Sequence, residues 1–382
     1  MGDTRLPWLT RRAVLLGGLA YLVFVVAVGV VRKLGGETMI FGSFWEAGRA
    51  ANIGANPYLN HPLVFAPRGS LGIYETNLNS PAILPLFQIF ALLPPALGAA
   101  LWTGLSGALH AACVILLNRR LALSRIQLAW LLLPPIVINN FNLGQIYTLL
   151  LCLAVGIWLA LRADRTALAG VLLGILVALK PNFALCGVAL FVAGYHRAPI
   201  IAAAVAAALT LVPALLYGPE IYQQWLAAVA LDRHGELFPN EISLNGFVSR
   251  AGLRAPAGLV LAGLVALGGL ALVWRQKPAP DLAAATGLWL GIVCAPLAWT
   301  YYLVVVMPFV VARPWSGTMI LAAVMTAIPP SYGHAIMGQP GPTVAFGALY
   351  LAPVLLLGWH LFGEAGQTPD PPRTVEAGRA PS

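Results

Sequence analysis

The sequence predicts an all-α polytopic membrane protein of about 12 transmembrane helices, with a range of about 10–13, and two long extracytoplasmic loops. Three observations carry this. The 382 residues are 59% hydrophobic with a mean hydropathy of +0.82, and only 9% are charged, against roughly 25% in a soluble domain. Apolar runs recur along nearly the whole chain. Basic residues collect in the short segments between alternate runs.

No soluble fold of this length hides so much apolar surface, which excludes aqueous Rossmann, barrel and sandwich classes. The net charge of +9 would point to nucleic acid in a soluble chain. Here it follows from basic cytoplasmic loops, and no nucleic-acid partner is expected. Cys113, Cys152, Cys186 and Cys294 all lie in apolar runs at spacings that fit no metal motif. They read as packing residues. No haem, iron–sulfur or zinc pattern is present, and no cofactor is expected.

Arg11 and Arg12 precede an apolar run to Val31 with no small-residue cleavage site before Arg32. This reads as a retained signal-anchor helix. Residues 41–60, "FGSFWEAGRAANIGANPYLN", read as a short amphipathic helix. Its face of Phe44, Trp45 and Gly48, extended by Ala51 and Ala55, lies on the membrane interface or packs on transmembrane helices. "GANPY" ends it, because the residue before Pro57 is pushed out of helical space. "NLNSPAILPLF", 77–87, begins polar and turns apolar after Pro81. A loop re-entering the membrane has this form, and so does a helix with proline in its first turn.

Further apolar runs fall at about 81–93, 95–117, 126–139, 144–161, 166–179, 183–195, 198–217, 256–274, 281–296, 299–312, 315–329 and 343–361. Several are shorter than the roughly 20 residues of a straight crossing, so broken or re-entrant segments are expected. Charge sets the threading. With the N-terminus inside and 81–117 making one net crossing, 14 of the 22 basic residues fall on cytoplasmic segments, as the positive-inside rule asks. The outer segments are then 32–80 and 218–254. Residues 1–361 form a single transmembrane domain, and the polar, proline-rich tail 362–382 is expected to be a disordered cytoplasmic extension.

The same threading brings several polar elements to the outer rim: "INNFNLGQIY" at 138–147, "LKPNF" around Lys180, "SLNGFVSR" at 243–250 and "PLAWTYY" at 296–302. A lipid-facing surface does not tolerate Asn139, Asn140, Asn142 and Gln145 together, so these face protein, water or ligand. Lys180 either snorkels, favours a helix C-terminus, or meets a phosphate at the rim. Glu46, Glu75, Glu236 and Glu241 are base candidates or solvated acids. His61, His234 and His334 have no metal-site spacing. Trp299, Tyr301 and Tyr302 are belt aromatics or stack on a sugar.

Taken in order, "FGSFWEAGRAANIGANPY", "NLNSPAILPLF", "NLGQIY", "AGVLLGILVALKPNF", "SLNGFVSR" and "PLAWTYY" resemble glycosyltransferase family 87 over roughly residues 36–312. That bacterial integral-membrane family is related to GT-C mannosyl- and arabinosyltransferases. The resemblance implies a GT-C-like fold in the bacterial plasma membrane, with the active site facing the periplasm. It further implies a polyprenyl-phosphate sugar as donor and inverting transfer to a membrane-lipid or cell-envelope glycan acceptor. A base takes the acceptor proton while cationic or hydrogen-bonding groups stabilise the phosphate leaving group.

The family's Asp at the start of the first outer loop matches Ile40, which cannot take a proton, and Glu46 or Glu75 is the expected replacement. Where the family often carries rim histidines, this chain has Tyr301 and Tyr302. The resemblance also implies Asn142 and Gln145 near the substrate, Lys180 near the phosphate, and Asn245 and Arg250 in the second outer loop. The expected function is therefore transfer of a hexosyl or pentosyl group. The rival is a non-catalytic or flippase-like protein that binds polyprenyl-linked glycans. A flippase is expected to show inverted repeats and mid-helix charges, and neither is evident.

Overall fold

A computed structural model describes residues 7–59, 61–62, 74–231, 238–253, 255–329 and 340–365. Almost all regular structure among them is helical. The exception is a minimal antiparallel pairing of β1 (His61–Pro62) with β2 (Tyr74–Glu75). Six helical spans are long and apolar enough to cross a membrane: Arg11–Leu34, Pro95–Leu121, Arg125–Leu143, Arg197–Tyr217, Pro256–Gln276 and Thr343–Gly363. Shorter apolar helices pack among them, at Pro81–Phe90, Tyr147–Arg162, Thr166–Leu179, Pro181–Ala193 and Pro280–Val293. The chain is an all-α, multi-pass membrane protein.

In chain order the helices begin with α1 (Pro7–Leu34), α2 (Phe41–Asn52), α3 (Leu84–Phe90), α4 (Pro95–Leu121), α5 (Arg125–Leu132) and α6 (Pro135–Leu143). Then come α7 (Tyr147–Arg162), α8 (Thr166–Leu179), α9 (Ala184–Ala193), α10 (Arg197–Tyr217), α11 (Glu220–Leu231) and α12 (Leu244–Arg250). The last are α13 (Ala255–Gln276), α14 (Pro280–Val293), α15 (Met307–Val311), α16 (Gly317–Met325) and α17 (Pro340–Ala365).

The breaks follow from local chemistry. Pro134 and Pro135 divide α5 from α6, since neither has an N–H to give the ladder. Lys180 leaves helical space with φ −142° and ψ 92°, as a residue before proline does. The run expected at 299–312 is a 3-10 turn (Thr300–Val305) followed by α15, buried throughout.

Alternate loops meet at a common end. Arg11 donates to Asn118 at 2.9 Å, Gln127 to the Val311 carbonyl at 3.1 Å, and Lys277 to the Val192 carbonyl at 2.7 Å. There Asp281 lies 3.3 Å from Arg313 and 3.6 Å from Arg162. At the opposite end the two long excursions touch. Ala47, Tyr58, Leu84, Ile221 and Ala228 form one buried cluster, flanked by Tyr217, Tyr222 and Trp225. Trp225 donates to the Leu78 carbonyl at 3.1 Å and Tyr217 to Gln88 at 2.5 Å.

Helix α2 ends at Asn52, two residues before "GANPY". Of the interfacial and inward placements that its sequence leaves open, it takes the inward one. Phe41, Phe44, Glu46, Ala47, Gly48 and Ala50 are all buried. Its Phe41 and Phe44 join Phe87, Phe90 and Trp102 in an aromatic core. Helix α17 continues to Ala365, four residues into the segment expected to be tail. Residues 366–382, Arg68, Asp232, Arg233, His234, Glu236, Arg254 and His334 lie outside the described residues.

Helices α8 and α10 approach closely through a small-xxx-small pair, Gly170 and Gly174. Lipid tails are as apolar as leucine, so such helices associate through close packing instead of water exclusion. A Cβ at Gly174 would lie 2.6 Å from Val205 Cβ and 2.7 Å from the Ala202 carbonyl oxygen. Gly174→Leu is therefore expected to lower stability by about 1–3 kcal/mol through overpacking. Gly263→Leu, with nothing within 4 Å of its Cβ, is expected to leave the unfolding temperature in detergent unchanged. Equal unfolding temperatures for the two variants would refute this account of the contact.

Candidate functional site

At the end of the molecule opposite the Arg162–Asp281–Arg313 group, three polar segments come together. The first is the α6–α7 turn. Gly144 closes α6 in the left-handed region, φ 71°, with Phe41 packed where a Cβ would stand. A side chain at Gly144 would face both strain and collision. Trp102 Nε1 donates to the Gly144 carbonyl at 3.0 Å and lies 3.3 Å from that of Gln145. This turn delivers Gln145, whose Nε2 donates to the Tyr301 hydroxyl at 3.0 Å.

The second segment is the 3-10 turn carrying Tyr301 and Tyr302. The Tyr147 ring, at the start of α7, lies 4.3 Å from that of Tyr302 and 5.1 Å from that of Tyr301. Over this layer sits the third element, the α8–α9 turn. Lys180 Nζ stands 5.5 Å from the Tyr302 ring centre and 5.7 Å from that of Tyr147. The negative faces of the rings attract the ammonium. Each ring also replaces water around it, so the cation is held in position and partly desolvated. Such a group is suited to meeting an anion, and Lys180 is the only charged residue between Arg165 and Arg197.

The second long excursion joins this rim through backbone pairing. Ile242 N–H donates to the Ala298 carbonyl at 2.6 Å, and Thr300 N–H to that of Asn240 at 3.2 Å. Trp299 stacks on Tyr301 with centroids 6.4 Å apart and meets Phe238 edge-on at 5.5 Å. Asn245 Nδ2 donates to the Pro296 carbonyl at 3.0 Å.

Beneath this pairing lies a buried ion pair. Both side chains of Glu241 and Arg250 are wholly inaccessible, with Nη1 3.4 Å from Oε2. Glu241 Oε1 accepts from the Ser243 and Ala298 N–H groups at 2.9 and 2.8 Å. The guanidinium also donates to the Phe238 and Glu241 carbonyls at 2.8 and 2.9 Å. Burial pushes the Glu241 carboxyl up to about 7, opposed by hydrogen bonds from Ser243 and Ala298 and by the Arg250 charge. Arg250 is thus engaged within the protein rather than presented at the rim.

The residues expected in the site divide accordingly. Gln145, Lys180, Tyr301 and Tyr302 come together around Tyr147, and Asn245 borders them through Pro296. Asn142 instead meets α1: its carbonyl accepts from Lys33 Nζ at 2.7 Å. Lys33, Arg32, Glu37 and Asn142 border a recess of about 10 Å³. Glu46 is 7% exposed on α2 and pairs with Arg49 at 2.7 Å. Glu75 pairs through its backbone with His61, and its side chain lies outside the described residues. Among those residues no group of three His, Cys, Asp or Glu side chains is placed to hold a metal.

Sequence reasoning passed over Tyr147 and Lys33. Tyr147 was visible as the last residue of the quoted "INNFNLGQIY". Lys33 carries the same signal as Lys180, a cation at the end of an apolar run.

A family model described as glycosyltransferase family 87 matches residues 77–296, more than half of the chain. Asn142, Gln145, Lys180, Asn245 and Arg250 fall within the match, while Glu46, Glu75, Tyr301 and Tyr302 fall outside it. Neither the curated proteins nor the solved structures give a match.

Proposed function

The chain belongs to glycosyltransferase family 87, and from that premise we propose that it moves a hexosyl or pentosyl group from a polyprenyl phosphate to a lipid or cell-envelope glycan acceptor. It does so at the periplasmic face of a bacterial plasma membrane. The observation that carries this reading is the Lys180 ammonium over the Tyr147 and Tyr302 rings, beside the Gln145–Tyr301 hydrogen bond. In this reading the chain crosses the membrane about 12 times with both termini cytoplasmic, the basic end lying inside.

Transfer is inverting. A carboxylate takes the acceptor hydroxyl proton, the freed oxygen attacks the anomeric carbon, and the carbon–oxygen bond to phosphate breaks. The electron pair leaves with the phosphate, where the Lys180 charge stabilises it. Glu46 is the base we favour, with Glu75 the other acid of the first long excursion. Gln145 and the tyrosine hydroxyls hydrogen-bond the sugar, and an aromatic face stacks on it.

Ile40, at the position where the family resemblance implies Asp, favours a second reading: binding of a polyprenyl-linked glycan without transfer. One experiment separates the two. The purified protein in nanodiscs is incubated with a panel of polyprenyl-phosphate sugars and envelope-lipid acceptors, alongside Glu46→Gln and Glu75→Gln. Transfer by the unmodified protein, lost in Glu46→Gln with donor binding intact, is the expected result. Donor binding without transfer in the unmodified protein would overturn it in favour of the second reading.

A further inference from the structure

Two of the four free cysteines meet inside the helix bundle. Cys113 on α4 and Cys152 on α7 hold their sulfurs 3.4 Å apart, a thiol–thiol hydrogen bond. The contact lies well within both apolar helices. Cys113 stands eight residues before the end of α4, about 12 Å at 1.5 Å per residue. Neither Pro95–Asn118 of α4 nor Tyr147–Leu161 of α7 contains an Asp, Glu, Lys or Arg. Cys113 is buried, whereas Cys152 belongs to a half-buried stripe with Leu149, Leu153 and Gly156 at helical spacing. One thiol is thus enclosed, and its partner is partly open to the hydrocarbon. The same two helices frame the candidate site. Trp102 of α4 donates to the Gly144 carbonyl, and α7 begins at Tyr147, five residues before Cys152.

We infer that Cys113 and Cys152 are an oxidative modification site, a dithiol that a lipid-soluble quinone converts to a disulfide joining α4 to α7. Each thiol gives up its hydrogen and an S–S bond forms. The quinone takes up both electrons and both protons and leaves as the quinol. From 3.4 Å the sulfurs must close by about 1.4 Å to the roughly 2.05 Å of a disulfide. Side-chain rotation supplies this, because α4 and α7 are already packed together. The exchange leaves no charge behind in an apolar span, where a lone charge is costly. A quinone also dissolves in the hydrocarbon that Cys152 partly faces, whereas water-borne oxidants and thiol buffers stay outside it. Among the described residues no third His, Cys, Asp or Glu joins the pair, so the thiols lack the ligand set of a structural zinc. Once formed, the bond staples the two helices that hold Trp102 and Tyr147, and α4 and α7 can no longer slide past each other next to the Gly144–Gln145 turn.

The test starts from the full-length protein in nanodiscs, reduced, freed of reductant and exposed to decylubiquinone. It is then denatured in N-ethylmaleimide, digested and mapped by mass spectrometry. A peptide containing Cys113 linked to one containing Cys152 is expected, and dithiothreitol should abolish it. Cys186 and Cys294 should be recovered as maleimide adducts. Quinone should also raise the unfolding temperature of the parent and leave that of Cys113→Ser unchanged. Cys152→Ser serves the same purpose if the first variant fails to fold. Parallel samples receive hydrogen peroxide or copper–phenanthroline from the aqueous side. Recovery of both thiols as adducts after every oxidant overturns the site. A link made by the aqueous oxidants but not by quinone overturns the assignment of the oxidant. Pairing of Cys113 or Cys152 with Cys186 or Cys294 as often as with each other marks oxidation of unfolded chains and also overturns it. None of these readouts involves sugar transfer, so the outcome is independent of the proposed function.

Discussion

Arg250→Ala is expected to destabilise the protein by about 3–5 kcal/mol, the cost of breaking a buried pair and leaving one charge without its partner. Neither side chain of the Glu241–Arg250 pair is accessible to solvent, so water cannot take the place of the guanidinium. The loss also frees the Phe238 and Glu241 carbonyls that Arg250 caps. Thermal unfolding in detergent measures the effect, and its pH dependence identifies the cause. Burial raises the Glu241 carboxyl from its ordinary 4.5 to about 7. An acid whose folded-state pKa is raised contributes stability that is fully present below its unfolded pKa and is lost as the pH rises through the folded one. Without Arg250 the folded value moves higher still, because a charge that lowered it has gone. The deficit of the variant should therefore be smaller near pH 4.5, where only the freed carbonyls contribute, and grow towards pH 8. Glu241→Gln combined with Arg250→Ala should recover part of the loss, since no unpaired charge remains. A variant that unfolds like the parent but binds donor poorly would instead make Arg250 a substrate ligand.

The contrast between Arg250 and Lys180 marks what the sequence can and cannot reveal. Lys180 was expected near the phosphate and Arg250 in the second outer loop, because loop position gives the side of the membrane and nothing about depth. Lys180 lies alone in a long uncharged stretch, and Pro181 forces it out of the helix. Its neighbourhood was therefore legible from local pattern. Arg250 is buried by partners remote in the pattern. Glu241 lies nine residues earlier. Gly246 is a glycine because a Cβ there would overlap the Glu241 carboxylate, and one at Gly347 would lie 2.6 Å from Arg250 Nε. The helical class and the prolines that break α5 from α6 could be read from composition and length. The 3-10 turn at Thr300–Val305 could not, because a segment buried on every side has no amphipathic period to reveal its winding. Similarly, aromatic residues on 41–60 are compatible with an interfacial helix or an inward one. Only Phe87, Phe90 and Trp102, supplied by other segments, decide for the inward packing.

Lys180→Met is expected to lower kcat/KM for a polyprenyl-phosphate sugar by about 10²–10³, the effect of removing one preorganised stabiliser of developing negative charge. Methionine keeps an unbranched apolar stem against Tyr147 and Tyr302, so the change removes the charge and little of the packing. The ammonium is already held 5.5 and 5.7 Å from two ring centres, and little reorganisation is needed as the phosphate takes up charge. A cation that merely favoured the C-terminus of α8 would behave differently. Its loss would cost about 0.3–1 kcal/mol of stability and leave turnover within a few-fold of the parent. The two roles are thus read on separate axes, unfolding temperature for one and kcat/KM for the other. Lys180→Arg sharpens the comparison. It retains the charge and stacks on aromatic faces, but its planar fork replaces a compact point charge. It should bind donor nearly as well as lysine while recovering only part of the rate. Full activity in Lys180→Met, with the protein folded, would remove this lysine from the reaction and require another cation at the leaving group.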